Sequence, residues 1–197
     1  LDWGAGGSGW LRARGGGQSC HMIGATSGVR LRVLRVDDEP AFRAAHHELA
    51  AEGFTFGLGW ELDEPFADYV DALDQRSRGL ALPGRWVHWV PSAFLVAEVN
   101  GVLVGRSSIR FELNDFLAHE GGHIGYGVLR AHRRRGYATA ILAQSLGIAR
   151  EHGVERVLVT CDDDNGGSAA VIERAGGVLE STVVGAEGNL VRRYWIG

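Results

Sequence analysis

The sequence contains few cysteines, and this scarcity excludes several classes of protein. Only two occur among 197 residues, Cys20 and Cys161, and they lie in unlike contexts. Two such residues make neither a disulfide framework nor a metal-ligand cluster. The cysteine usage therefore predicts a protein of the reducing cytoplasm without a metal site.

Long apolar runs and an excess of positive charge are also missing. No apolar stretch approaches the roughly 20 residues of a membrane-spanning helix, and the formal net charge is −4. An acidic chain is not attracted as a whole to polyanions, so neither nucleic acid nor a membrane is a predicted partner. The length and an apolar content of 45% predict one domain with a sizeable core.

The first 28 residues differ from the rest of the chain. They are rich in Gly and Ser, and no apolar period runs through them. His21-Met22, which holds the single methionine, is typical of a cloning junction. We predict a flexible leader over residues 1–28, either vector-derived up to about Met22 or native, and a folded domain over 29–197. Cys20 is then expected to carry no function.

Apolar periodicity and turn signals predict a mixed α/β sheet of about seven strands, flanked by about four helices. Asn100-Gly101 favours a type I′ hairpin, because both turn positions need a positive φ. The Gly-x-Gly-x-x-Gly and Walker patterns of nucleotide-binding folds are absent. Predicted strands cover residues 29–33, 93–99, 102–111, 122–129, 155–161, 178–184 and 189–196. The predicted helices begin near Pro40 and Pro65 and cover 137–152 and 165–175.

The segment between the strand at 122–129 and the helix at 137–152 is the most informative. It places Arg133, Arg134, Arg135 and Gly136 directly before the helix. The first amides of a helix have no partner within it, and its N-terminus carries roughly half a positive charge. Gly136 lets the backbone approach an anion closely. The segment therefore predicts a phosphate or pyrophosphate site.

Three motifs, in this order, resemble the GNAT family of N-acetyltransferases. They are Arg133-x-x-Gly136-x-Ala138, the buried strand that ends Thr160-Cys161-Asp162, and Asn165-x-x-Ser168 leading to Gly176-Gly177. The string from 121 to 126 is similar to a bacterial subgroup of predicted acetyltransferases. The resemblance implies a GNAT-like fold and direct transfer of an acetyl group from acetyl-CoA to a primary amine of a small molecule or peptide. It is compatible with a homodimer.

The resemblance also implies which residues hold acetyl-CoA. The backbone of Val128 and Leu129 is expected to pair with the pantetheine arm, and the turn with its helix start to hold the diphosphate. Arg134 is expected to be merely solvated, and Asn165 to cap its helix as well as contact the arm. The full expected set is Val128, Leu129, Arg133, Arg135, Gly136, Tyr137, Ala138, Thr139, Asn165 and Ser168.

The catalytic residues are less well defined. Many relatives have a tyrosine four residues beyond the Ser168 position that protonates the leaving thiolate, whereas this chain has Ile172. Tyr194 and Tyr126 are the alternative acids. The candidate bases are His123 and Glu120. Each also has a purely structural interpretation: His123 as a packed strand histidine, and Glu120 as a solvated loop carboxylate. Ile172 also motivates another function, a non-catalytic acyl-CoA-binding regulatory module.

Two aromatic segments are the predicted acceptor site, namely residues 54–60 and the stretch from Trp86 to Trp89. The first segment has an equal alternative as a loop that plugs the core. Carboxylates at Glu61, Asp63 and Glu64 favour a cationic acceptor. The sequence does not identify the amine.

Overall fold

A mixed sheet of seven strands forms the centre of the described part of the protein. A computed structural model describes residues 28–80 and 89–197. The strands are β1 (Arg30–Val33), β2 (Ser92–Val99), β3 (Val102–Arg110), β4 (Ile124–Val128), β5 (Val157–Asp162), β6 (Val178–Val184) and β7 (Leu190–Ile196). Helices are α1 (Glu39–Ala50), α2 (Phe66–Ser77), α3 (Tyr137–Glu151) and α4 (Gly166–Arg174). The predicted leader, apart from Gly28, and the predicted acceptor residues Trp86 and His88 lie outside the described residues.

The strand order in the sheet is β1-β2-β3-β4-β5-β7-β6, and all neighbours run antiparallel except β4 and β5. The α/β architecture predicted from the sequence is thereby confirmed. Asn100 and Gly101, with φ of 50° and 81°, form the predicted turn between β2 and β3. None of the helices within residues 28–80 and 89–197 has the length and apolarity needed to cross a membrane.

The two helix pairs cover opposite faces of the sheet, because each strand alternates its side chains between them. On β2, Phe94 packs with α1 and α2, whereas Leu95 packs with α3 and α4. The α1/α2 face has an aromatic core centred on Phe42, whose ring lies 5.0–5.6 Å from four other rings. Burial of a side chain of this size contributes about 1.5–3 kcal/mol to stability. The side of the sheet covered by α1 and α2 is the α1/α2 face, and the side covered by α3 and α4 is the α3/α4 face.

Sequence reasoning was wrong about two local features. The strand predicted over 122–129 begins only at Ile124, because Gly122 has a φ of 62° and interrupts the extended backbone. The segment before it, for which the sequence predicts neither a strand nor a helix, contains a π-helical turn over Leu117–Gly121. The side chain of Asn114 accepts the amide of Leu117 at 2.9 Å and starts this turn.

Candidate active site

A cleft opens in the sheet where β4 and β5 separate. The two strands pair only at Ile124 and Val159, and beyond this point β4 continues beside β3 alone. On the edge that faces β3, the amide of Leu129 donates to the carbonyl of Val104, and the carbonyl of His123 accepts the amide of Arg110. Since alternate residues of a strand direct their backbone groups to opposite edges, those of Tyr126 and Val128 face the gap. β4 therefore presents an edge of backbone donors and acceptors to the cleft.

The N-terminus of α3 points into the same cleft. Gly136 precedes the helix with a φ of 78°, and no side chain of the described residues caps it. Arg134 also has a positive φ, 61°, so the turn is tight. The first amides of the helix, from Tyr137 to Thr139, are left without a partner in the described chain. A diffuse negative charge fits this arrangement, which combines free N–H donors with the positive end of the helix dipole.

The cleft has a volume of about 810 Å³ and collects most of the residues expected to bind acetyl-CoA. Leu129 and Arg135 are the exceptions: Leu129 packs against the core on the α1/α2 face, and Arg135 is exposed outside the cleft. Arg134, expected to be merely solvated, is part of the wall. The expected residues that line the cleft are Val128, Arg133, Gly136, Tyr137, Ala138, Thr139, Asn165 and Ser168.

Glu52 neutralises part of the positive charge at the cleft rim. Its carboxylate binds both Arg130, at 2.6 Å, and Arg133. The two guanidinium groups, Arg133 most of all, hold the pKa of Glu52 below its ordinary value. Arg133 also donates from Nε to the carbonyl of Val128 at 3.0 Å. This arrangement was missed by sequence reasoning, because Glu52 lies just beyond α1, far from the turn in the chain.

The start of α4 forms the opposite wall. Asn165 caps the helix as expected, with Oδ1 accepting the amide of Ser168 at 3.0 Å. Tyr126 of β4 also lines the cleft, and its phenol oxygen is buried without a hydrogen bond to the described residues. The Ser168 side chain is its polar neighbour, and burial raises the pKa of Tyr126 to about 12. A protonated hydroxyl therefore lies in the cleft between β4 and α4.

His123 is buried next to β5 rather than in the cleft. Its Nδ1 accepts the backbone amide of Leu158 at 2.9 Å, and its own amide donates to the carbonyl of the same residue. A backbone N–H always donates, so the hydrogen on the neutral ring is on Nε2. Burial and the nearby Arg110 lower the pKa of His123. In this arrangement the ring cannot take a proton on Nδ1 without losing its bond to β5.

The other two catalytic candidates are also engaged outside the cleft. Glu120 accepts the amide of Ala186 at 3.0 Å, in the turn between β6 and β7. Tyr194 is 1% exposed in the core on the α3/α4 face, and its hydroxyl donates to Glu173 at 3.1 Å. Neither residue lines the cleft, and neither meets His123 or Tyr126 there. Ile172, at the position of the family tyrosine, is fully buried.

Some residues of the aromatic segment 54–60 fill the core, and another lines the cleft, so both roles that its sequence left open occur. Phe56 and Trp60 are buried in the core around Phe42. Phe54 lines the cleft and lies against β4 at Gly127, where a Cβ would come within 2.7 Å of the ring. The guanidinium of Arg106 lies over the Phe54 ring, 4.4 Å from its centroid.

Residues 57–177 match the family model described as the acetyltransferase (GNAT) family. The chain belongs to the GNAT acetyltransferase family. Membership makes it an acetyltransferase and confirms the resemblance found in the sequence. No curated protein matches the sequence.

Solved structures of bacterial acetyltransferases share the fold. Mycobacterium smegmatis RimJ in complex with CoA-disulfide is 22% identical, with a TM-score of 0.63 over 86% of this chain and 82% of that chain. The ribosomal-protein-alanine N-acetyltransferase from Brucella melitensis is 20% identical, with a TM-score of 0.60 over 85% and 98%. The putative acetyltransferase yncA from Salmonella typhimurium, with acetyl-CoA, is 15% identical, with a TM-score of 0.59 over 86% and 93%. At these identities the similarity concerns the fold.

Proposed function

We propose that the protein transfers an acetyl group from acetyl-CoA directly to a primary amine of a small molecule or peptide. The observation that carries this proposal is the junction, in one cleft, of an uncapped helix N-terminus and an unpaired strand edge. The first suits a diphosphate and the second an extended amide-bearing arm. Solved structures of similar fold contain acetyl-CoA or CoA, which supports the same donor. A cytoplasmic location belongs to the proposal and rests on cysteine usage alone.

In this proposal the amides from Tyr137 to Thr139, with Arg133 and Arg134, hold the diphosphate. The backbone of Val128 and Tyr126 pairs with the pantetheine arm, and Asn165 and Ser168 border the arm from α4. Leu129 is left out because its amide already donates to Val104. Arg135 is left out because it is exposed beyond the cleft wall.

Tyr126 is the proposed proton donor. In the transfer, a neutral amine attacks the thioester carbonyl, the new C–N bond forms, and the C–S bond breaks. The departing thiolate takes the phenolic proton of Tyr126, the amine nitrogen gives its proton to water, and the Tyr126 phenolate regains a proton from water. Backbone N–H groups of the unpaired β4 edge polarise the carbonyl. We assign the proton donor to Tyr126 rather than Tyr194 because Tyr126 lines the cleft, whereas the Tyr194 hydroxyl is bound to Glu173 in the core.

Release of free thiol from acetyl-CoA, measured with a broad panel of amines, tests the proposal. We expect thiol release that depends on both substrates, and calorimetric binding of CoA but not of ATP. Binding of ATP alone would refute an acyl-CoA site.

A non-catalytic acyl-CoA-binding regulatory module is the second candidate. It is favoured by Ile172, a fully buried aliphatic residue where many relatives have the acidic tyrosine. Tight CoA binding without thiol release on any amine would support this candidate and exclude the enzyme.

A further inference from the structure

A cluster of basic side chains lies on the α1/α2 face, directly behind the cleft edge. Arg106 and Arg110 project from β3, Arg76 joins them from α2, and His123 from the start of β4. Arg106 is 3% exposed, and Arg110 is half-buried. The cluster brings residues from three elements to one place, which requires an explanation because like charges repel.

No carboxylate within the described residues forms an ion pair with Arg106 or Arg110. Arg106 donates to two backbone carbonyls, of Gly125 at 2.9 Å and Thr55 at 2.7 Å, and its Nε is buried without a partner. Arg110 makes one long hydrogen bond there, 3.3 Å to Gly121. Burial lowers the pKa of Arg106 to about 9, with Arg110 adding to the effect, and the pKa of Arg110 to about 10.

Arg32 shows how the same chain treats a structural buried arginine. It is 9% exposed and pairs with both Asp38 and Glu98 at 2.6 Å. These partners raise its pKa, in contrast to the two arginines of β3. A buried cation without an anion is unfavourable, and the favourable state is one in which an anion is bound.

The geometry places the two guanidinium groups against β4 at Gly125. A Cβ on Gly125 would lie 3.3 Å from Nη1 of Arg110 and 3.6 Å from Nη1 of Arg106. Gly125 precedes Tyr126, whose backbone faces the cleft from the next position. An anion held by Arg110 would therefore lie one residue from the edge where the acetyl group is transferred.

We propose that Arg110, supported by Arg106, binds the carboxylate of the acceptor, so that the acceptor is an amine bearing a carboxylate, such as a free α-amino acid. This rests on the proposed acetyl transfer and specifies its substrate. A guanidinium holds a carboxylate through two parallel hydrogen bonds. Nη1 of Arg110 makes only the long bond to Gly121, and its other nitrogens donate to no described residue. The α-amine of an amino acid is two bonds from its carboxylate carbon, which suits the short separation from β4.

A carboxylate-bearing acceptor replaces the cationic acceptor suggested by the carboxylates of the 61–64 loop. Glu61 and Asp63 are exposed, and Glu64 is half-buried. None of them lines the cleft, whereas Arg110 adjoins the strand that forms its edge. The charged side chains next to β4 on this face, Arg106 and Arg110, are therefore positive.

Matched pairs of acceptors test this proposal. Free α-amino acids and the corresponding α-amino amides are compared by thiol release with acetyl-CoA. We expect kcat/KM to favour the free acids by about 100-fold, the range of a charge-assisted hydrogen-bonded pair. In Arg110→Gln this preference should fall to within a few-fold, through KM. Arg78→Gln, which removes an exposed arginine paired with Asp74 at 2.8 Å, is the control and should retain the preference.

The two levels of the proposal fail differently. Equal use of amides and acids by the wild type, or an unchanged preference in Arg110→Gln, overturns the carboxylate site but leaves acetyl transfer intact. No thiol release with any amine overturns the proposed function itself. Thermal unfolding adds a second readout, because Arg110→Gln removes an uncompensated cation. Its Tm without ligand should equal or exceed that of the wild type, and a clear loss would indicate a structural strut instead.

Discussion

The two faces of the sheet at β4 carry positive charge by different means. On the α3/α4 face the cleft offers backbone amides at the start of α3, and its rim arginines are exposed and partly neutralised by Glu52. On the α1/α2 face the charge belongs to the guanidinium groups of Arg106, which is buried, and Arg110, which is half-buried, and neither has a carboxylate partner among the described residues. One site is built from backbone, the other from side chains.

The difference corresponds to the two ligands that we propose. A diphosphate spreads its charge over many oxygens, so several weak donors on a rigid helix end suit it. A carboxylate is small and planar, and one desolvated guanidinium matches it. Exposed arginines attract acetyl-CoA while they remain hydrated. A buried arginine discriminates strongly between acceptors with and without a carboxylate, because its charge is unfavourable when unpaired. We therefore expect the diphosphate site to tolerate variation in its arginines better than the proposed carboxylate site does.

Gly136→Glu should produce the largest effect, confined to the donor face. No atom lies within 4 Å of a Cβ at this position, so the fold should survive, while a carboxylate enters the diphosphate region. We expect CoA affinity, measured by calorimetry, to fall by about 100-fold or more, since the variant sets a negative charge where the helix dipole favours the ligand.

Gly188→Glu is the matched control for this variant. Gly188 has a φ of 83°, close to the 78° of Gly136, and an equally open Cβ position, but it lies in the turn between β6 and β7. Both variants share the backbone strain, so only Gly136→Glu should lose CoA. Equal affinities would refute the assignment of the α3 N-terminus.

Tyr126→Phe should have the next largest effect, on the chemical step. Loss of a positioned acid costs about 100-fold or more in kcat, while KM for acetyl-CoA should change little. The raised pKa keeps the phenol protonated at ordinary assay pH, so this loss should not vary between about pH 7 and 9.

Tyr194→Phe distinguishes the two tyrosines that the sequence offered. Its hydroxyl binds Glu173 in the core, so we expect a stability loss of about 1 kcal/mol with kcat retained. The opposite result, a catalytic defect in Tyr194→Phe and none in Tyr126→Phe, would reverse the assignment.

The cleft wall at the start of α3 could be predicted from the sequence because one continuous segment builds most of it. The turn, Gly136 and the first residues of α3 are neighbours in the chain, and local rules for helix starts apply to them directly. Two positions differ from the prediction: Arg134 is part of the cleft wall, and Arg135 is exposed outside it. Local rules do not predict the positive φ of Arg134, a non-glycine residue. The strand alternation and the hairpin at Asn100 were equally local and equally accessible.

The acceptor face was not predictable, because it depends on long-range assembly. Arg76 and Arg110 are 34 positions apart, and neither has a motif around it. Tertiary structure also decides whether an arginine has a carboxylate partner. Arg32 and Arg106 both lie in strands with alternating apolar residues, yet of the two only Arg32 forms ion pairs with described carboxylates. His123 illustrates the same limit, since its sequence suits a base but its Nδ1 is engaged by β5.

The smallest expected effect concerns proton uptake on the acceptor face. His123 and His46 each accept a backbone amide on Nδ1, from Leu158 and Gly57, and burial is the main cause that lowers the pKa of each. The unfolded chain then binds protons below about pH 6.5 that the folded chain does not. Stability from these groups is complete above that pH and is lost as the pH falls through the unfolded value toward the folded one.

Thermal unfolding at about pH 7.5 and 5.5 measures this loss. His123→Asn should show a smaller decrease of Tm on acidification than the wild type, because the amide oxygen accepts the Leu158 N–H and does not titrate. The exposed His119→Asn should keep the wild-type decrease, and an unchanged decrease in His123→Asn would contradict the tautomer assigned to the ring.

Arg110 contributes to the lowered pKa of His123, so a carboxylate bound to Arg110 should ease protonation of the ring. A free α-amino acid should therefore reduce the decrease of Tm on acidification in the wild type. In Arg110→Gln the same amino acid should leave this decrease unchanged. The proton affinity of His123 would then depend on the charge of the ligand bound at Arg110.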